Sequence, residues 1–198
     1  MTKMIWRGVM PATTTPFDED LQIDHAFAAK HCNWLIDNGC TGIVTPGSLG
    51  ESATLTIDEK TALWTTVVEA VGDRVPVVAA IASLSTAEAV ELSKRAADLG
   101  CSGLMVLPPY VYQGDWPEMK AHVEAIFRAT NLSCMLYNNP VAYGTDFLPE
   151  QIQELAAQHA NFEAVKESST DVRRITWIRE LLGDRLAIFV GVDDAIVE

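Results

Sequence analysis

The chain has 198 residues, 48% hydrophobic and 21% charged, and 27 acidic against 14 basic side chains give a formal charge of −13. That length and apolar content support a single domain over residues 1–198 with a sizeable core, and they exclude a disordered chain. The acidic balance excludes a phosphate-backbone binder, so no nucleic-acid partner is expected. No run of about 18 uncharged apolar residues marks a membrane span. Met1-Thr2-Lys3-Met4-Ile5-Trp6-Arg7 lacks the apolar stretch of a signal peptide. The expectation is a soluble, cytoplasmic protein.

Along the chain, short apolar runs alternate with stretches of helical periodicity. The runs lie at 8–15, 42–45, 75–82, 103–107, 133–137, 162–166 and 186–191. The helical stretches lie at about 25–38, 57–71, 86–99, 116–130, 149–158 and 171–182. Thr56-Ile-Asp-Glu59, Ser85-Thr-Ala-Glu88 and Asp115-Trp-Pro-Glu118 read as capping boxes. Gly39, Gly72, Gly100 and Gly183 read as left-handed helix ends. A weak repeat, Asn38-Gly-Cys-Thr-Gly-Ile43 and Leu99-Gly-Cys-Ser-Gly-Leu104, joins helix to strand by one kind of turn.

Continuous apolar strands alternating with helices imply a parallel sheet covered on both faces. Polar clusters follow the strands and not the helices: Thr14-Thr15, Gly47-Ser48, Asn138-Asn139, Glu167-Ser168-Ser169 and Asp193-Asp194. That asymmetry fits a (β/α)8 TIM barrel with its chemistry at the C-terminal rim, here truncated after about seven of eight βα units. A doubly wound open sheet is the alternative, but no G-x-G-x-x-G follows the first run.

Lys166 stands out, because lysine is rare in a short strand of a parallel sheet. Period-2 alternation puts it on the face of Ala164 and Phe162, with Glu163, Val165 and Glu167 opposite. An amine taken out of water becomes a usable nucleophile toward a carbonyl; otherwise it snorkels to solvent or pairs with Glu167. Tyr137 ends the preceding strand with Met135 on its face, placing a phenol near Lys166 for proton transfer. In Gly47-Ser48-Leu49-Gly50-Glu51, two glycines let backbone N–H groups converge on an anion beside the Ser48 hydroxyl. Tyr110 and Tyr112 follow Pro108-Pro109 and line either a pocket or an interface. Cys32, Cys40, Cys101 and Cys134 read as core thiols, and His25, His31, His122 and His159 as surface residues. No metal site is visible.

Gly47-Ser-Leu-Gly-Glu51, Leu136-Tyr-Asn-Asn-Pro140 and Val165-Lys-Glu-Ser-Ser169, in that order, resemble the dihydrodipicolinate synthase/N-acetylneuraminate lyase family of class I aldolases. Gly8-Val-Met-Pro-Ala-Thr-Thr-Thr-Pro-Phe17 and Gly191-Val-Asp-Asp194 are similar to further segments of that family. The resemblance implies a TIM barrel whose eighth unit lies beyond Glu198. It implies a lyase in which Lys166 forms a Schiff base with a small 2-oxo acid and Tyr137 relays protons. Ser48 would support the relay, and the Gly47–Leu49 backbone would hold the substrate carboxylate. Tyr110 aligns with an aromatic that reaches a neighbouring subunit's site, and the assembly would be a homotetramer of tight dimers. No cofactor is implied beyond the covalent Schiff base.

Two departures bear on the substrate. Ala142 stands where the synthases carry an arginine for a second carboxylate, and Leu49 stands where threonine is usual. The reading closest to these residues is a 1-pyrroline-4-hydroxy-2-carboxylate deaminase-like enzyme. A 4-hydroxy-tetrahydrodipicolinate synthase and a 2-keto-3-deoxy sugar acid aldolase or dehydratase are the alternatives. A non-catalytic keto-acid-binding barrel and a phosphate-binding isomerase are the readings of other classes.

Overall fold

Residues 4–192 are described by the structure, a computed structural model. In chain order it contains α1 (His25–Asp37), β1 (Ile43–Thr45), α2 (Ile57–Val71), β2 (Val77–Ile81), α3 (Thr86–Asp98), β3 (Gly103–Val106) and α4 (Trp116–Arg128). There follow β4 (Ser133–Asn138), α5 (Pro140–Tyr143), α6 (Pro149–Gln158), β5 (Phe162–Glu167), α7 (Arg173–Leu182) and β6 (Ala187–Val190). The strands form one sheet in sequence order, every neighbour parallel. Parallel neighbours need a crossover, and the intervening helices supply it.

Alternate strand residues feed two apolar layers. Ile43, Val77, Ile81, Leu104, Val106, Leu136 and Val165 pack beneath the helices. Val44, Val78, Ala80, Met105, Met135, Tyr137 and Ala164 form a second layer on the inner face. Burial on both faces explains why the strands read as unbroken apolar runs. The N-terminal segment covers the inner layer through Met4, Trp6, Met10 and Ala12. Trp6 donates from Nε1 to Ser133 Oγ at 2.7 Å on β4, and its ring meets Phe189 of β6 edge-on at 5.9 Å. One side chain reaches two non-adjacent strands because the sheet curls around it into a half-barrel.

Among the described residues there are six strands and not seven. The 8–15 run makes a single parallel bridge, Ala12 to Val44, closed by Thr13 N–H to Val44 O and Val44 N–H to Pro11 O, each at 3.0 Å. Pro11 has no N–H to continue the ladder toward the N-terminus, where Thr41 N–H donates instead to Val9 O at 2.8 Å and Gly8 lies at φ 88°. Asp193 and Asp194 lie outside the described residues.

The helix boundaries agree closely with the periodicity, with local exceptions. Thr56–Glu59 and Asp115–Glu118 form full capping boxes. The Ser85–Glu88 box does not close, because the Glu88 carboxylate bonds the Ser83 hydroxyl. Gly39, Gly100 and Gly183 have positive φ, whereas Gly72 stays right-handed at φ −68°. Cys32, Cys101 and Cys134 are buried thiols and Cys40 is half-buried.

His122 and His159 are buried and not surface residues. His122 turns toward α3 and bonds Thr86 Oγ1 at 2.9 Å; His159 packs on Phe127 and meets Glu124 Oε1 at 3.2 Å. A helix flank that abuts its neighbour buries polar residues that periodicity alone assigns to solvent. Phe162 also departs from simple alternation. Cys134 pairs with Phe162 but Met135 pairs with Ala164, so β5 carries one extra residue there. This bulge turns Phe162 outward against Phe127, with ring centroids 5.1 Å apart, while Ala164 and Lys166 keep the inner phase.

Candidate active site

β4 and β5 place Tyr137 and Lys166 side by side as register partners at the rim. Lys166 Nζ lies 4.3 Å from the centre of the Tyr137 ring. Tyr137 is buried, and Asn139 Nδ2 donates to its hydroxyl at 3.0 Å. Lys166 opens onto a cavity of about 790 Å³ over the inner layer, shared with Val44, Leu49, Met105 and Met135.

A fully buried polar pair stands behind them on the helix side. Asn138 Nδ2 donates to Glu167 Oε2 at 3.0 Å and also reaches Asp146 Oδ1 and Phe147 O, each at 3.2 Å. Asn138 Oδ1 accepts from Phe147 N–H at 2.9 Å, and Glu167 Oε1 accepts from Ser169 N–H at 2.7 Å. Arg174 grips both oxygens of Asp146, at 2.5 and 2.6 Å. Burial pushes the Asp146 carboxyl up, but the hydrogen bonds from Arg174 and Asn138 outweigh it and hold the group below the usual carboxylate range. The network ties the ends of two strands to one loop, so Tyr137 and Lys166 sit on a braced frame.

The Gly47–Glu51 turn approaches from β1. Trp64 of α2 anchors its base by donating from Nε1 to Thr45 O at 2.8 Å. Gly47 is buried and its carbonyl accepts from Gly50 N–H at 3.0 Å and Ser52 N–H at 3.3 Å. Among the described residues no acceptor takes the N–H of Ser48 or Leu49, as suits a backbone nest for an anion. Glu51 adopts φ 58°, the left-handed turn that closes the loop. Leu49 is mostly exposed and lines the cavity.

The site residues expected from the sequence therefore converge, with two exceptions. Ala142 is exposed and stays outside the lining of the cavity; its N–H caps α5 by donating to Asn139 Oδ1 at 3.0 Å. Ser48 meets not Tyr137 but Tyr143, through a short hydrogen bond between hydroxyls. Tyr143 packs edge-on against Tyr137, with centroids 5.7 Å apart, and lies 6.0 Å from the ring of Tyr110. Burial pushes the Tyr143 phenol up to about 12; Ser48 opposes the shift, and Tyr137 and Tyr110 add to it. Burial, and then the charge of Glu88, also raise Tyr110.

The sequence reading missed Tyr143. Its signal is the one-turn helix α5, with Asn139 as N-cap, Pro140 at the start and Gly144 left-handed at φ 74°. That turn folds Tyr143 back over Tyr137.

The model of the dihydrodipicolinate synthetase family matches residues 5–198. The chain belongs to that family. It is 36% identical over 193 residues to a 4-hydroxy-tetrahydrodipicolinate synthase of Desulforamulus reducens, covering 98% of this chain and 65% of that protein. It is 39% identical over 197 residues to the enzyme of that name from Natronomonas pharaonis, covering 99% and 66%. Among solved structures, it resembles a dihydrodipicolinate synthase of Bacillus anthracis at 37% identity and TM-score 0.92, covering 96% and 65%. It also resembles the chloride-inhibited synthase of Acinetobacter baumannii complexed with pyruvate, at 30% identity and TM-score 0.91, covering 96% and 65%. The chain thus spans about two-thirds of the length of these family members.

Proposed function

We propose that this chain carries the Schiff-base centre of a lyase acting on a small 2-oxo acid, in a protein whose complete sheet closes as a (β/α)8 barrel. The observation that carries the reading is Lys166 held against Tyr137 at the mouth of the inner cavity. The name of the pyruvate-bound Acinetobacter baumannii relative points to the same substrate class. The carboxylate of the 2-oxo acid fits the free N–H groups of Ser48 and Leu49.

The chemistry balances without an added reagent. The Lys166 ammonium and the ketone give an iminium and water: the N–C bond forms, the C–O bond breaks, and two protons from nitrogen leave on the oxygen. The iminium draws electrons from the adjacent carbon, so that carbon loses a proton to give an enamine, which attacks an acceptor. Run in reverse, the same step cleaves a bond.

The relatives' shared name favours a 4-hydroxy-tetrahydrodipicolinate synthase-type condensation over the deaminase-like reading. Exposed Ala142, with no guanidinium fork for a second carboxylate, is the specific observation that keeps the deaminase-like substrate as the second reading. The same family reading carries a cytoplasmic homotetramer with Tyr110 near the dimer contact.

The test is borohydride reduction of the full-length protein in the presence of pyruvate, followed by peptide mapping. A pyruvate-derived adduct on Lys166, absent in Lys166→Ala, supports the reading. No adduct in folded protein overturns it. Turnover with aspartate semialdehyde against hydroxypyrroline carboxylate then separates the two substrates.

A further inference from the structure

We propose that Tyr143 carries protons between Tyr137 and solvent. The proposal rests on the Schiff-base reading above.

Tyr137 stands beside Lys166 at the rim end of β4. Its phenol is buried, and the hydrogen bond it receives comes from the Asn139 amide nitrogen, which donates and cannot take a proton. A phenol that gives up a proton to a departing hydroxyl needs a second hydroxyl from which to regain one. Tyr143 packs edge-on against Tyr137 and its phenol interacts with that of Tyr137. Its oxygen also shares a short hydrogen bond with Ser48. Tyr137 is buried, Tyr143 half-buried and Ser48 exposed, so the three hydroxyls step outward from the reacting centre to water. The Tyr143 phenol, which burial raises further above the usual value, is a neutral hydroxyl at pH 7 and can donate and accept in the same event. The capped turn of α5 holds its ring in place.

In the enamine step, a C–H bond on the carbon beside the iminium breaks. Its electron pair becomes the C=C bond, and the iminium pair returns to the Lys166 nitrogen. The proton passes to the Tyr137 oxygen as Tyr137 gives its own to Tyr143, Tyr143 to Ser48, and Ser48 to water. Reversal in D2O delivers a deuteron to the same carbon.

The test compares two readouts on the full-length protein: borohydride trapping of pyruvate on Lys166, and exchange of the pyruvate methyl protons for deuterium followed by NMR. In Tyr143→Phe the ring and its packing remain while the hydroxyl is lost. The expected result is retained trapping with exchange slowed by about tenfold or more. Ser48→Ala slows exchange similarly, and the double variant is no slower than the slower single one, because the two hydroxyls act in series. Exchange at the wild-type rate in Tyr143→Phe overturns the proposal, as does an equal loss of trapping and exchange, which marks a structural role. Absence of an adduct in the wild-type protein overturns the Schiff-base reading and the relay with it. A wild-type adduct with unimpaired exchange in Tyr143→Phe overturns the relay alone.

Discussion

Tyr137 and Lys166 are paired across β4 and β5, and the Lys166 Nζ sits 4.3 Å over the centre of the Tyr137 ring. The ring face favours a cation, while the edge of the same side chain presents the hydroxyl. Tyr137→Phe separates the two roles. The fold and the amine–ring contact persist, so thermal stability changes little. Methyl-proton exchange of pyruvate, read by NMR, falls by about 10²–10⁴-fold.

Gly191 has no room for a side chain. A Cβ there would stand 1.6 Å from Ser168 Oγ, 2.8 Å from Ser168 Cβ and 3.0 Å from Glu167 O. Gly191→Ala therefore forces β6 away from the rim residues after Lys166, and thermal melts should show clear destabilisation. Ser168→Gly removes the first two contacts, so the double variant recovers most of the loss. A double variant no better than Gly191→Ala alone would contradict this account.

Asn138 joins β4, β5 and residues 146–147 through one amide. In Asn138→Ala the Phe147 N–H and one Glu167 oxygen lose their partner inside the protein. The expected cost is about 2–4 kcal/mol in urea unfolding, with slower trapping on Lys166 because the frame behind it loosens.

His122 predicts an acid sensitivity. Burial lowers its pKa from 6.5 to about 4 in the folded chain, and its Nε2 has no partner among the described residues. The unfolded chain therefore binds a proton that the folded chain refuses. The stability contribution is complete above pH 6.5 and declines as pH falls toward about 4. The loss reaches up to about 3 kcal/mol. Urea melts between pH 7.5 and 4 should show a shallower acid decline in His122→Gln than in wild type.

Much of the site was legible because it lies on strands. Lysine in the apolar 162–166 run and the alternation of 133–137 put Lys166 and Tyr137 on one face, and the 47–51 glycines mark the turn. Helix bounds were legible for the same reason: capping and periodicity act within a few residues, so α1, α2 and α6 begin and end close to where the sequence places them. Ser48 was expected to support the relay and the substrate carboxylate, and its hydroxyl partner is Tyr143, 95 residues away. No local rule encodes that separation.

Local chemistry along the chain thus decided the alternation of strand and helix, the inner face and the placing of Lys166 and Tyr137 on it. Tertiary packing decided the rest. It bulged β5 so that Phe162 joined the helix layer. It buried His122 and His159 between helices and seated Tyr143 over Tyr137. These outcomes depend on which surfaces meet across the sheet, and a pattern confined to neighbours in sequence carries no information about distant partners.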